Sequence, residues 1–536
     1  MHRRTALQIL GLSSICAATH PYALAALLPA QKAAPPPDVE LLLTASKGEA
    51  ALLSGTPTRV WRYSGTLVRG PAGTLQPIEG SYLGPVIRLR RGQRVRVRFR
   101  NRLDEPSIVH WHGLDVPDRA DGHPRLAVDA GGEYVYDFTV TNRAGTYWYH
   151  PHPHMRTAWQ VYQGLAGFVL VSDEDEDALG LPSNEGELLW VLQDRRFDAG
   201  HQLEYLDSIG RPAAGGGRGG RGMGGAGGMR GMGGMRGAGM GMRGAMDAMN
   251  GWLGDRMLVS GRTPSALDVD RRTYRVRLLN GSNARIYKLA WSDGAPFTVL
   301  GGDGGLLPRV RTSRHLTLAP GQRADVLLDL SDHAAGDTVR LESVAFPSEH
   351  SGQTGMMGTP APVPNGAPLV VATLRVSNRR GPRVAPPERL PAHSFTEAPR
   401  APARRVPLAF MRMNWLIDGR VFDLDDVAPS ETAVAGSTHV WEFVNQPNPM
   451  GMQMAHPMHM HGRQFRVLSR SGGRANALRE GIVDDGWVDT VLVLPHETVR
   501  VQVTFSEHPG LYLYHCHILE HEDMGMMRNF RILAAG

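Results

Sequence analysis

The chain has 536 residues, 42% hydrophobic and 21% charged, with 64 glycines, 38 prolines and only two cysteines. That length exceeds what a single hydrophobic core serves, and a composition rich in Gly and Pro with apolar residues in short alternating runs favours several all-β units joined by many turns. The formal net charge of +6 is carried by Arg3, Arg4 and a glycine-rich stretch, so the remaining body is neutral and offers no basic face to nucleic acid.

The chain begins with His2-Arg3-Arg4-Thr5, an apolar run from Ala6 to Ala17 and the small-residue string Ala23-Leu24-Ala25. This pattern predicts a twin-arginine export signal over 1–25 and an exported, periplasmic location. The apolar run is shorter than the roughly 20 residues a membrane span needs, so no stable membrane insertion is expected after cleavage. Cys16 lies inside the signal. Cys516 is then the only cysteine left, and its thiol needs a purpose other than an internal disulfide. Residues 26–40, rich in Ala and Pro, read as a flexible lead-in.

Alternating strands follow: Val60–Tyr63, Val86–Leu89, Val95–Phe99, Tyr134–Phe138 and Gly167–Val171. So many short strands over 41–178, closed by the acidic Asp173–Asp177, predict a Greek-key sandwich. A second unit over 179–376 contains Leu188–Leu192, Tyr274–Leu279, Ala324–Asp329 and Leu369–Leu374. It is interrupted at 213–251 by a glycine-rich insertion with eight methionines (Met223, Met229, Met232, Met235, Met240, Met242, Met246 and Met249). This insertion cannot bury a core and is expected to be disordered, with a short helix near Ala245–Trp252. The Pro- and Arg-dense 377–404 reads as a linker, and 405–536 as a third unit.

Four pairs of histidines stand at two-residue spacing: His110 and His112, His150 and His152, His459 and His461, and His515 and His517. On a strand, residues i and i+2 point to one face, so each pair offers two imidazoles to one cavity. One such pair is commonly a structural coincidence. Four of them, two early and two late, with the remaining cysteine inside one, are metal sites. Cys516 faces the opposite side of its strand from His515 and His517. With His521 and Met526 downstream, it supplies the thiolate, imidazole and distant thioether of a blue-copper electron-transfer site. An electron reaching that sulfur has a short covalent route to either flanking histidine.

The segments His110-Trp111-His112-Gly113, His150-Pro151-His152, His456 to Gly462 and His515 to Met527 resemble the four copper-binding motifs of multicopper oxidases, most closely the bacterial laccase-like and copper-efflux oxidases. The resemblance implies an all-β chain of three cupredoxin-type Greek-key β-sandwich domains. It also implies four copper ions, one type 1, one type 2 and two type 3. Carried over by motif, type 1 copper takes His456, Cys516 and His521 with Met526 as axial ligand, and type 2 takes His110 and His459. One type 3 copper takes His112, His150 and His517, and the other takes His152, His461 and His515. Asp121 and Glu522 resemble the acids that supply protons, a role suited to buried carboxyl groups. His123 and His154 match no ligand position.

The implied reaction couples four one-electron oxidations at type 1 copper to reduction of O2 to water. Its small reducing substrates would be Cu(I), phenols or aromatic amines, the organic donors needing only approach to the edge of a ligating histidine. Thioethers suit Cu(I). The methionines of the insertion, and Met450, Met452, Met454, Met458 and Met460 beside His456, therefore point to cuprous oxidation and a role in copper tolerance. Related efflux oxidases carry their methionine-rich segment at the entry to the third domain, where this chain has only Met356 and Met357 within 351–366. The alternatives are a general laccase and a non-catalytic copper-sequestering protein. Cell-division proteins on the same fold lose these ligands, which this chain keeps. A monomer is expected.

Overall fold

The computed structural model describes residues 36–206, 247–352, 361–411, 413–445 and 453–536. The expected signal, most of the methionine-rich insertion, and Met356, Met357, Met450 and Met452 lie outside the described residues. Residues 247–250 are helical, as the sequence predicts for the end of the insertion.

The chain is all-β, and among the described residues its strands form six sheets that pair into three Greek-key sandwiches. The strands predicted from alternation are present: Thr58–Arg69, Val86–Arg90, Arg94–Asn101, Glu133–Thr139 and Gly167–Ser172 in the first sandwich, and Glu187–Arg195, Thr273–Asn280, Arg323–Asp329 and Leu369–Arg380 in the second. In Arg94–Asn101 the residues Val95, Val97 and Phe99 enter the core. The intervening Arg96, Arg98 and Arg100 pair with Asp137, Glu40 and Glu133. This alternation is what a half-buried strand requires, and the surface ion pairs add little to stability.

One pairing recurs three times. The opening strand of each sandwich lies parallel to a later one: Val39–Ala50 beside Arg94–Asn101, Glu187–Arg195 beside Thr273–Asn280, and Arg404–Met411 beside Thr438–Asn445. Each sandwich closes over its own apolar core. Acidic residues 174–177 form a short helix capped by the Asp173 carboxylate.

Polar contacts tie the sandwiches together. Glu187 joins Arg88 of the first to Arg277 of the second, and Thr317 Oγ1 donates to the Leu478 carbonyl of the third at 2.6 Å. Between first and third, Tyr512 donates to the Val116 carbonyl, and the Asp523 carboxylate accepts from Thr157 and Ala158 at the start of the helix Thr157–Gln163. Among the described residues no helix is long and apolar enough to cross a membrane.

Candidate metal centre

Strand register brings the histidines together. Val109–His112 pairs antiparallel with Gly145–Pro151, placing His110 opposite His150. In the third sandwich, His456–Met460 pairs with Gly510–Cys516, setting His459 opposite His515 and Met458 opposite Cys516. The two strand pairs face each other across the boundary between first and third sandwiches. All ten histidines are buried.

Among the described residues, ligand atoms converge in five sets within 4.8 Å: His110, His112 and His459; His112, His150 and His517; His152, His461 and His515; His456, Cys516 and His521; and His110, Asp121 and His461. The alternation expected at 515–517 is present, with Cys516 on one side of its strand and its neighbours on the other. Cys516 Sγ lies 3.5 Å from His456 Nδ1 and 3.7 Å from His521 Nδ1. Met526 is buried in the same core cluster, tied in by its carbonyl accepting from the Cys516 N–H at 3.1 Å. The five-residue helix Leu519–Asp523 carries His521, and Gly525 ends it at φ +97°.

Second partners fix which ring nitrogen each imidazole presents. His110 Nδ1–H donates to the Asp121 carbonyl (2.6 Å), His459 Nδ1–H to the Asp489 carbonyl (2.8 Å) and His461 Nδ1–H to Asp121 Oδ2 (2.7 Å). His515 Nδ1–H donates to the Cys516 carbonyl (3.1 Å) and His150 Nδ1–H to the Pro151 carbonyl (3.0 Å). Each is left with an Nε2 lone pair. His112 is reversed: its Nε2–H donates to Asp489 Oδ1 at 2.9 Å, and its Nδ1 is buried without a partner. Such orientation of the outer nitrogen is how proteins prepare imidazole for metal.

The donor set fits copper. His110 Nε2 faces His459 Nε2 at 3.4 Å, and His461 Nε2 faces His515 Nε2 at 3.1 Å, so bare lone pairs oppose each other unless a cation lies between them. His150 Nε2 and both nitrogens of His517 are buried without hydrogen-bond partners. Burial pushes His110, His112, His150, His456, His461 and His517 well below the usual imidazole range, His152 down to about 4 and His521 down to about 3. They are therefore held neutral, the form that binds metal. Burial also pushes the Cys516 thiol well up, so its thiolate forms with the metal it binds.

Both predicted acids reach the cluster. Asp121 contacts His461 and His110, and burial raises its carboxyl well above the usual range. Glu522 Oε1 lies 3.3 Å from His152 Nε2, and its Oε2 3.2 Å from His515 Nδ1. Burial raises Glu522 as well, but its contacts with His152 and His515 outweigh that and leave the group lowered. His123 bonds Asn529 at 2.9 Å and His154 lies against Phe422, so both extra histidines have other partners.

His456 and His521 are both fully buried. Trp415 stacks on His521 with ring centroids 4.9 Å apart and meets His456 edge-on at 4.7 Å. The Met249 carbonyl accepts from His521 Nε2 at 2.9 Å and from Trp415 Nε1 at 3.0 Å. Met454, Met458 and Met460 are buried in the core beside His456, where unbranched thioethers fill irregular space.

Sequence reasoning missed Asp489, Thr490 and Trp415. Asp489 could have been flagged: it sits inside the apolar run Trp487 to Leu494, and a buried acid there demands partners.

Comparison with known proteins agrees with this geometry. Multicopper oxidase family models match residues 62–176 and 398–535. The multicopper oxidase mco of Staphylococcus haemolyticus is 30% identical over 455 residues, covering 84% of this chain and 83% of its own. Among solved structures, the McoA multicopper oxidase of the hyperthermophile Aquifex aeolicus superposes with a TM-score of 0.72 at 33% identity, covering 93% of this chain and 96% of that one. A laccase from Pediococcus acidilactici superposes with a TM-score of 0.71 at 31% identity over 92% and 89%. The chain belongs to the multicopper oxidase family, copper-dependent oxidoreductases that use O2.

Proposed function

We propose that the chain oxidises Cu(I) at a type 1 site made of His456, Cys516, His521 and Met526, and serves copper tolerance. In this reading a second centre holds three coppers: type 2 on His110 and His459, and type 3 on His112, His150 and His517 and on His152, His461 and His515. The observation that carries it is the single strand end 515–517, whose cysteine belongs to one ligand set and whose two histidines belong to others. Bound copper supplies one-electron transfer at the first centre and reduction of O2 to two waters at the second.

The protein's own groups do the rest. Cys516 Sγ connects through its backbone to His515 and His517, a covalent path between the centres. Trp415 and the Met249 carbonyl cover the imidazole edges and keep water from the sulfur. Glu522, in reach of His152 and His515, and Asp121, on His461, stand where protons must be delivered during O2 reduction. The N-terminal twin-arginine segment supports export of the folded, metal-loaded protein.

Cu(I) is favoured as donor because the chain on either side of 207–246 packs at the type 1 pocket. Tyr205, Leu206, Ala248 and Trp252 pack with Leu519 of the His521 helix, and Met249 touches His521 itself. The test is O2 uptake by copper-loaded protein with Cu(I), a phenol and Fe(II), in the full chain and with 213–246 deleted. Cu(I) oxidation falls on deletion while phenol oxidation is spared. Equal loss of both, or loss of neither, overturns the cuprous reading and leaves a general laccase.

A further inference from the structure

Among the described residues the middle sandwich contributes no histidine to these ligand sets. One of its turns nevertheless reaches the cluster. It runs from Ala319 through Gly321 and Gln322 into the strand Arg323–Asp329. Arg323 is fully buried and uses all five of its N–H donors. Nε donates to the Thr146 carbonyl of the first sandwich (3.0 Å), Nη1 to the Gly321 carbonyl (2.7 Å) and Asp489 Oδ1 (2.7 Å), and Nη2 to the Asp303 carbonyl (3.0 Å) and Asp489 Oδ2. The guanidinium thus grips both oxygens of a carboxylate belonging to the third sandwich while fixed to carbonyls of the other two.

That carboxylate is the one on His112. Asp489 Oδ1 accepts from His112 Nε2 at 2.9 Å and from Thr490 Oγ1 at 2.9 Å, and the Asp489 carbonyl accepts from His459 Nδ1 at 2.8 Å. The backbone of 489–490 is itself held from the middle sandwich: Gln322 Nε2 donates to the Thr490 carbonyl (3.0 Å), and Thr490 N–H donates to Asp303 Oδ2 (3.2 Å). Two residues before Arg323, Gly321 adopts φ +83°, and a Cβ there would stand 2.9 Å from His517 Cδ2. Three imidazoles from three different segments, His112, His459 and His517, therefore take their placement from a single turn.

We propose that residues 319–323 are a positioning element for the trinuclear cluster, with Arg323 acting on His112 and His459 through Asp489, and Gly321 providing the space that His517 occupies. A bidentate guanidinium fixes the carboxylate plane, which a lysine cannot do with a single point charge. Removing the grip frees Asp489 to rotate and leaves His112 without a fixed tautomer. The proposal rests on the ligand assignment given under Proposed function.

The test compares copper-loaded Arg323→Gln, Arg323→Lys and Gly321→Ala with the wild type. Its readouts are the type 2 electron paramagnetic resonance signal, the type 3 near-ultraviolet band and the rate at which a chelator strips cluster copper; the blue Cys516 band is the internal control for folding. Arg323→Gln is expected to lose cluster copper about 10–100-fold faster with an altered type 2 signal and an intact blue band. Arg323→Lys recovers part of that loss, and Gly321→Ala chiefly weakens the type 3 band. If these variants keep wild-type cluster spectra and stripping rates and show only a lower melting temperature, the turn is merely structural and the proposal falls. Should Arg323→Gln fail to fold, the other two variants decide by the same readouts. A wild type that holds type 1 copper but no cluster copper would overturn the functional reading itself, and this inference with it.

Discussion

The Cys516 pocket and the histidine cluster lie on opposite sides of one strand, yet their surroundings differ in kind. The pocket takes all its predicted ligands from the third sandwich and is walled by Phe410, Trp415, Met454, Met458 and Met249. Its polar contacts include the Ile518 N–H to Cys516 Sγ at 3.4 Å and the Met249 carbonyl on His521. The cluster is assembled from two sandwiches and ringed by the carboxylates Asp121, Asp489 and Glu522. The contrast follows from the chemistry: passing one electron exchanges no proton and is served by a dry apolar cage, whereas reducing O2 to water consumes protons and needs acids at hand.

The largest effect should come from cutting the link between the two regions. Cys516→Ser removes the thiolate, so the copper-loaded variant loses its blue colour and all measurable O2 consumption. The cluster histidines keep their partners, and the type 2 resonance signal therefore persists. Loss of cluster copper together with the blue colour would show that the two regions are one cooperative site.

The next effect isolates the acids. Glu522→Gln keeps the shape beside His152 and His515 but cannot carry a proton. O2 reduction is expected to slow by about 100-fold or more, the usual scale for a positioned general acid. The blue band and the rate of its reduction by donor stay at wild-type values. Stopped-flow reoxidation of pre-reduced enzyme measures this directly, and a parallel change in blue-band reduction would count against the division of labour.

Much of this was legible in the sequence because strand periodicity is local. His-x-His places two imidazoles on one face wherever the strand lies, and His515-Cys516-His517 declares two faces in three residues. Alternation likewise marked strands such as Arg94–Asn101, where arginine and apolar residues take turns. What escaped depends on neighbours distant in sequence. Asp489 has no periodic partner and becomes meaningful only when Arg323 and His112 arrive from other sandwiches. Trp415 reads as ordinary core until it is seen stacked on His521. The burial of His456 and His521 escaped as well, because ligand spacing carries no information about what covers a ligand.

That cover supplies the smallest effect and the finest separation of the two regions. Trp415→Phe preserves an aromatic face against His521 but deletes the indole N–H that donates to the Met249 carbonyl at 3.0 Å. The carbonyl keeps its bond from His521 Nε2, so the 249 segment loses one tie to the pocket rather than its place. One such hydrogen bond contributes about 1 kcal/mol net, which corresponds to roughly a five-fold change in how often the segment opens. Phenol oxidation, which needs a bulky donor to approach the His521 edge, should rise by up to about that factor. Reoxidation of pre-reduced enzyme by O2 should not change, because Trp415 touches nothing in the cluster set. Equal shifts in both half-reactions would mean that the strand carrying Cys516 transmits packing as well as electrons, and that the apolar cage and the acid-ringed cluster are mechanically coupled.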